Sequence, residues 1–91
     1  MSLEHGRPRQ RDGVRLLRAD DDSVLCDSHG GPVCRLNHTA TALWELCDGG
    51  TQVEEMVAAV CLVAGIEEER ARDDVHRTLA DLAERGAIEW A

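Results

Sequence analysis

Residues 30–50 read GGPVCRLNHTATALWELCDGG, and in this stretch a strand runs into a helix without a linker. From Pro32 to Leu36 the residues suit an extended segment. Asn37 then has the side chain of a helix N-cap, and Ala40, Leu43, Trp44 and Cys47 recur at i, i+3, i+4 and i+7, which is one apolar helical stripe. Gly49-Gly50 stops the helix. The same stretch carries Cys34, His38 and Cys47, so it is read against three possibilities: a metal site, a catalytic thiol and a structural joint.

Upstream, GVRLLRA is short and β-compatible, ADDDS is a turn cluster, and SVLCD and PVCRL flank SHGG. A three-residue loop of His29, Gly30 and Gly31 would set Ser28 opposite Pro32 and Cys26 opposite Cys34. Val24, Cys26, Cys34 and Leu36 would then share one face, and Leu25, Asp27, Val33 and Arg35 the other. Residues 1–12 lack periodicity and read as a flexible tail, leaving 13–91 as the domain. Downstream, Thr51 and Glu54 form an expected capping box for a second helix that buries Val53, Val57, Val60 and Ala64 and ends at Gly65. A third helix starts among Glu67, Glu68 and Glu69, carries Ala71, Val75, Leu79 and Leu82 on one side, and ends at Gly86. Ile88 and Trp90 fold back onto the core. The sequence thus predicts an α+β domain, a three-stranded N-terminal antiparallel sheet followed by three helices.

At 91 residues such a domain buries roughly 60–65% of the surface of its unfolded chain. Trp44 and Trp90 are the only aromatic residues, so the core is built from aliphatic side chains. An apolar share of 43% is too high for a disordered chain. No apolar run reaches the roughly 18 residues that span a bilayer, and no apolar segment follows the charged N-terminus as in a secretory signal. A soluble cytoplasmic protein with reduced cysteines is expected. The net charge is −8, there is no Lys, and 16 of the 18 acidic residues follow Arg18. That balance opposes nucleic-acid binding, which needs many cationic contacts to phosphate.

Cys26, His29, Cys34 and His38 have ligand types and a loop length compatible with tetrahedral zinc, which makes a small zinc-binding domain one alternative. Cys34 shares a face with Leu36, however, where a thiol serves as a small hydrophobe. A Cys26–Cys34 disulfide is geometrically feasible but disfavoured in a reducing compartment. No Cys stands beside a His in a nucleophile arrangement and no G-x-S-x-G motif occurs. Asp20, Asp21 and Asp22 lack the spaced ligands of a calcium loop and read as a solvated turn.

RLNHTATALWELCDGGTQVEEMVAAV followed by RDDVHRTLADLAERGAIEW resembles the PqqD-like family, the small peptide chaperones of pyrroloquinoline quinone biosynthesis and related recognition elements for ribosomally made, modified peptides (RiPPs). The resemblance runs from about Gly13 to Trp90. Its marks are the Leu36-Asn37 joint, Leu43-Trp44-Glu45-Leu46 ending in Asp48-Gly49, the second helix starting at Thr51, Asp74-Val75, and Leu82 through Gly86. Pro32, Val33 and Cys34 stand where such proteins often carry larger hydrophobes, and Thr78 where an aromatic is familiar.

The resemblance implies a winged-helix-like fold without catalytic residue, metal or cofactor. It implies that the strand Val33, Cys34, Arg35 and Leu36 accepts a precursor's leader peptide as an added strand, against the third helix. A free strand edge offers backbone donors and acceptors in register, and nearby side chains add specificity. On that helix Asp74, Thr78, Asp81 and Arg85 form the flank beside the core stripe, with Arg77 at its outer margin. This acidic flank is expected to favour a leader with Lys or Arg facing it. The implied partners are the leader and a modifying enzyme, either a radical SAM enzyme or a leader protease, with no nucleic acid and no membrane, and the chain is a monomer or an edge-paired dimer. A winged-helix DNA-binding regulator is the other alternative.

Overall fold

The computed structural model describes residues 6–20 and 22–90. The first five residues of the expected tail, Asp21 of the acidic run and Ala91 lie outside the described residues. Strand β1 spans Pro8–Gln10, β2 Arg15–Ala19, β3 Asp22–Cys26 and β4 Pro32–Leu36; helices α1 His38–Glu45, α2 Val53–Ala64 and α3 Glu68–Glu84 follow, and then strand β5, Ile88–Trp90. Strands β2, β3 and β4 form an antiparallel sheet in that order. The α+β arrangement of a three-stranded sheet followed by three helices is therefore the one this chain adopts. A separate antiparallel ribbon joins β1 to β5.

The helices follow their apolar stripes. Asn37 caps α1, its Oδ1 accepting from the Ala40 N–H at 2.8 Å and its carbonyl from the Thr41 hydroxyl at 2.8 Å. Leu43 and Trp44 of α1 and Cys47 just beyond it are buried. In α3 the buried residues are Ala71, Val75, Leu79 and Leu82, the stripe predicted by its period. Together with Leu25, Leu36, Val53, Met56 and Val57 these side chains form one contiguous core. Helix α2 ends where Gly65 turns into the left-handed region at φ 65°, a conformation that costs a residue without Cβ least.

Two local expectations shift by one residue. The cap of α2 is Gln52, not Thr51, and Glu55 rather than Glu54 accepts the Gln52 N–H, at 3.1 Å. Thr51 is already committed to Asp48, which accepts its N–H at 2.8 Å and its hydroxyl at 3.1 Å. Ala64 is exposed, and Met56 takes the buried place instead.

The hairpin of β3 and β4 slips likewise. Asp27 Oδ1 accepts from the N–H groups of His29 and Gly31, both at 2.9 Å, and the Asp27 N–H donates to the Gly31 carbonyl at 2.8 Å. The turn therefore closes on Asp27 and Gly31, with Gly30 at φ 80°. Cys26 then lies opposite Pro32, and a bulge brings Leu25 opposite Cys34 and leaves Val33 as the extra residue. A one-residue slip exchanges faces. Ser23, Leu25, Cys34 and Leu36 are buried, while Val24 and Cys26, expected on that face, are only partly so.

The stretch read as a tail contributes β1. Pro8 pairs with Trp90, Arg9 with Glu89 and Gln10 with Ile88. On its other side the Gln10 N–H donates to the Cys47 carbonyl at 2.8 Å, and the Gly49 N–H to the Pro8 carbonyl at 3.0 Å. Pro8 is fully buried, and Gly6 lies on the Trp90 indole, where a Cβ would come within 2.8 Å of the ring. The Trp44 indole N–H completes the junction by donating to the Ala87 carbonyl at 3.2 Å.

Candidate functional site

Strand β4 is an outer strand of the sheet, paired with β3 on one side alone. Beside it runs a groove of about 370 Å³ lined by Arg35, Leu36, Asn37, Ala40, Arg77, Thr78, Asp81 and Leu82. Leu36 leads into the Asn37 cap, so the joint between strand and helix sets the end of β4 against the first turn of α1. Helix α3 supplies the opposite wall. Leu36 and Leu82 are buried at the base, Thr78 and Ala40 are half-buried, and Arg35, Arg77 and Asp81 are exposed. The small side chains of Ala40 and Thr78 leave the groove open.

Five of the eight residues expected at a peptide site meet here: Arg35, Leu36, Arg77, Thr78 and Asp81. Val33 lines a neighbouring cleft of about 330 Å³, together with Arg11, Asp12, Gly13, Val14, Asp27, Ser28, Arg85 and Gly86. Cys34 lies between the two and is buried. Burial pushes its thiol up, and the nearby Arg85 guanidinium partly offsets that. Asp74 is outside both sets of lining residues and lies 3.9 Å from Arg77. The sequence reading missed Asn37, Ala40 and Leu82 as groove residues; their position at the joint and on the inner flank of α3 was the available signal. It missed Arg11 because the tail carries no periodic pattern.

The charge of the wall differs from the expected acidic flank. Asp81 receives both of its 3.0 Å contacts from the Arg85 Nε, and Arg77 pairs with Asp73 as well as approaching Asp74. Arg35 reaches Asp22 at 3.3 Å. Each acid of the flank thus faces an arginine, and the groove presents alternating charge rather than an anionic strip. The same pairing runs along the rest of α3, where Arg72 holds Glu54 at 2.7 Å and Glu68 at 3.1 Å and lowers the Glu54 carboxyl below its ordinary range.

The zinc set does not assemble. Cys34 points into the core, and Cys26 is on β3 across from Pro32. Among the described residues no group of three or more His, Cys, Asp or Glu side chains could hold a metal ion. All four cysteines are free thiols. Cys47 is fully buried beside the Leu43 carbonyl, and burial pushes its thiol up to about 12, the wrong direction for a nucleophile at neutral pH. Among the described residues no helix is long and apolar enough to cross a membrane.

Residues 22–88 match the family described as Coenzyme PQQ synthesis protein D (PqqD). No curated protein sequence matches the chain significantly. Among solved structures the chain is similar to TbiB1 in complex with the TbiA(beta) leader peptide, at 26% identity and a TM-score of 0.75, covering 89% of this chain and 94% of that one. It is similar to a lasso peptide synthetase B1 complexed with the leader peptide, at 21% identity and a TM-score of 0.77, covering 91% and 98%. It is also similar in fold to the PqqD truncation of Methylobacterium extorquens PqqCD, described as a functional and stand-alone RiPP recognition element, at 24% identity and a TM-score of 0.77, covering 98% and 94%.

Proposed function

This chain belongs to the PqqD family, and from that premise we propose that it is a non-catalytic peptide chaperone of the cytoplasm. It takes up the leader of a ribosomally made precursor peptide as an added strand on β4 and presents it to a modifying enzyme, a radical SAM enzyme or a leader protease. The observation that carries this reading is the outer side of β4, unpaired among the described residues, whose C-terminal end at Arg35 and Leu36 borders the groove against α3. Main-chain pairing supplies attraction that depends little on sequence, and the groove supplies selection. Leu36, Ala40 and Leu82 make an apolar base for the inward side chain of the leader, while Arg35, Arg77 and Asp81 meet the polar ones. Asp73 holds the Arg77 guanidinium, and Asp74, 3.9 Å away, adds a weaker attraction at the rim.

Nuclear magnetic resonance titration with the leader of a precursor encoded beside this chain tests the reading. Amide shifts are expected at Val33 to Leu36 and at Thr78 and Asp81. Asp81→Ala is expected to weaken binding by several-fold at most, because exposed ion pairs contribute about 0.2–1 kcal/mol. Shifts confined to α1 and α2, with residues 32–36 unmoved, would sink strand addition for this protein.

A further inference from the structure

The groove has two ends, and the chain's N-terminal segment furnishes one of them. Along the groove α3 runs opposite to β4: Thr78 lines it with Leu36, and one helical turn beyond Asp81, Arg85 lines the adjoining cleft with Val33. A leader pairing antiparallel to β4 therefore starts beside Leu36 and leaves past Val33, into the cleft bounded by Arg11, Gly13, Val14 and Gly86. Arg11 is held there by its backbone, whose N–H donates to the Ala87 carbonyl at 3.2 Å directly after the β1–β5 ribbon. Its guanidinium crosses Gly86, where a Cβ would come within 3.1 Å of Nη1. Glycine at this position, with φ 77°, leaves the crossing open.

Of the charges lining the cleft, Asp27 and Arg85 are committed, while Arg11 and its neighbour Asp12 are in no ion pair among the described residues. The Asp27 carboxylate is taken by the N–H groups of His29 and Gly31, and Arg85 by Asp81. Among the described residues Arg11 has no carboxylate within ion-pair distance. Val14 and Val33, both half-buried, supply apolar surface in the same cleft. We infer that Arg11, with Val14, Val33 and Gly86, forms a second peptide subsite that takes an acidic residue of the leader just C-terminal to the strand added on β4. This rests on the proposed leader binding and adds to it a position and a charge.

A displayed library of random 20-residue peptides, selected in parallel against the wild-type protein and the Arg11→Glu variant, tests it. Arg11 is exposed, so the variant is expected to melt within a few degrees of wild type, and Arg11→Lys serves as the charge-conserving control. Wild-type and Arg11→Lys selections are expected to enrich Asp or Glu one to three positions after the apolar pairing stretch. The Arg11→Glu selection is expected to replace these with Lys or Arg. An individual acidic binder should lose about two- to five-fold in affinity on Arg11→Ala, the range of one exposed ion pair. Binders that map to β4 yet show the same charge profile with all three proteins overturn the subsite and leave leader binding standing. Failure to enrich any peptide overturns both.

Discussion

The sheet has two outer strands, and they differ in what stands beside them. Strand β2 carries Arg15, Leu16, Leu17 and Arg18, with Leu17 57% exposed. Two arginines on a five-residue edge are a common guard against unwanted strand pairing. Strand β4 carries one arginine, a leading proline and a bulge, and it borders a groove whose far wall is a 17-residue helix. An unpaired edge offers hydrogen bonds to any extended chain; a wall beside it adds side-chain contacts that select one. The strands therefore differ both in backbone, where β4 has a proline and a bulge, and in the helical wall beside β4.

Substitutions can break this contrast. The largest effect is expected in the wall: Leu79, 1% exposed, should cost about 2–5 kcal/mol when changed to Ala, whereas Leu17→Ala on the other edge should stay within about 0.5 kcal/mol. Urea unfolding of the two variants checks the pair, and equal losses would mean that the β2 edge is as deeply built into the core as the helix that walls β4. Next in size is a block of the groove that spares the fold. Thr78→Trp fills the opening beside Leu36 and Ala40, and is expected to weaken leader binding tenfold or more, about 1.4 kcal/mol, with little change in melting temperature. Calorimetric titration of that variant reads the effect, and unaltered affinity would move the peptide off the groove.

The smallest effect concerns the turn that sets the position of β4. The N–H groups of Gly31 and His29 hold the Asp27 carboxyl below its ordinary range, and those of Gly50 and Thr51 do the same for Asp48. A carboxyl whose pKa is depressed in the fold contributes stability above its unfolded value, near 4, and loses it as the pH falls through the depressed one. Melting temperature should thus fall as the pH is lowered below about 5, and the fall should be shallower in Asp27→Ala. An identical acid profile in that variant would remove Asp27 from the account of the hairpin.

The helices and the joint at Leu36-Asn37 were legible in the sequence because their signals are redundant. In α3 four buried positions repeat one period, and in α1 a cap and a stripe point to the same start. The faces of the hairpin were not legible, because a single carboxylate that accepts two N–H groups decides between loops one residue apart. The cap of α2 was displaced for a similar reason, since Asp48 claims Thr51 first. Strand β1 escaped notice because three residues carry no period and its partner is at the other end of the chain. With β1 went Arg11, so the groove was anticipated from β4 and α3 while its second end was not.

The ribbon that carries Arg11 also bears on the order in which the molecule folds. Arg9 and Glu89, which pair across it, are 80 positions apart, so the ribbon closes nearly the whole chain into a loop. Contacts of that separation meet a larger chain-closure entropy than the neighbouring strands of the hairpin or the α2–α3 pair, and they form after local contacts have shortened the effective loop. The cleft end of the groove therefore carries the largest chain-closure cost in the sheet region, and an opening that frees the ribbon would take Arg11 away from the groove while leaving the β3–β4 pairing in place.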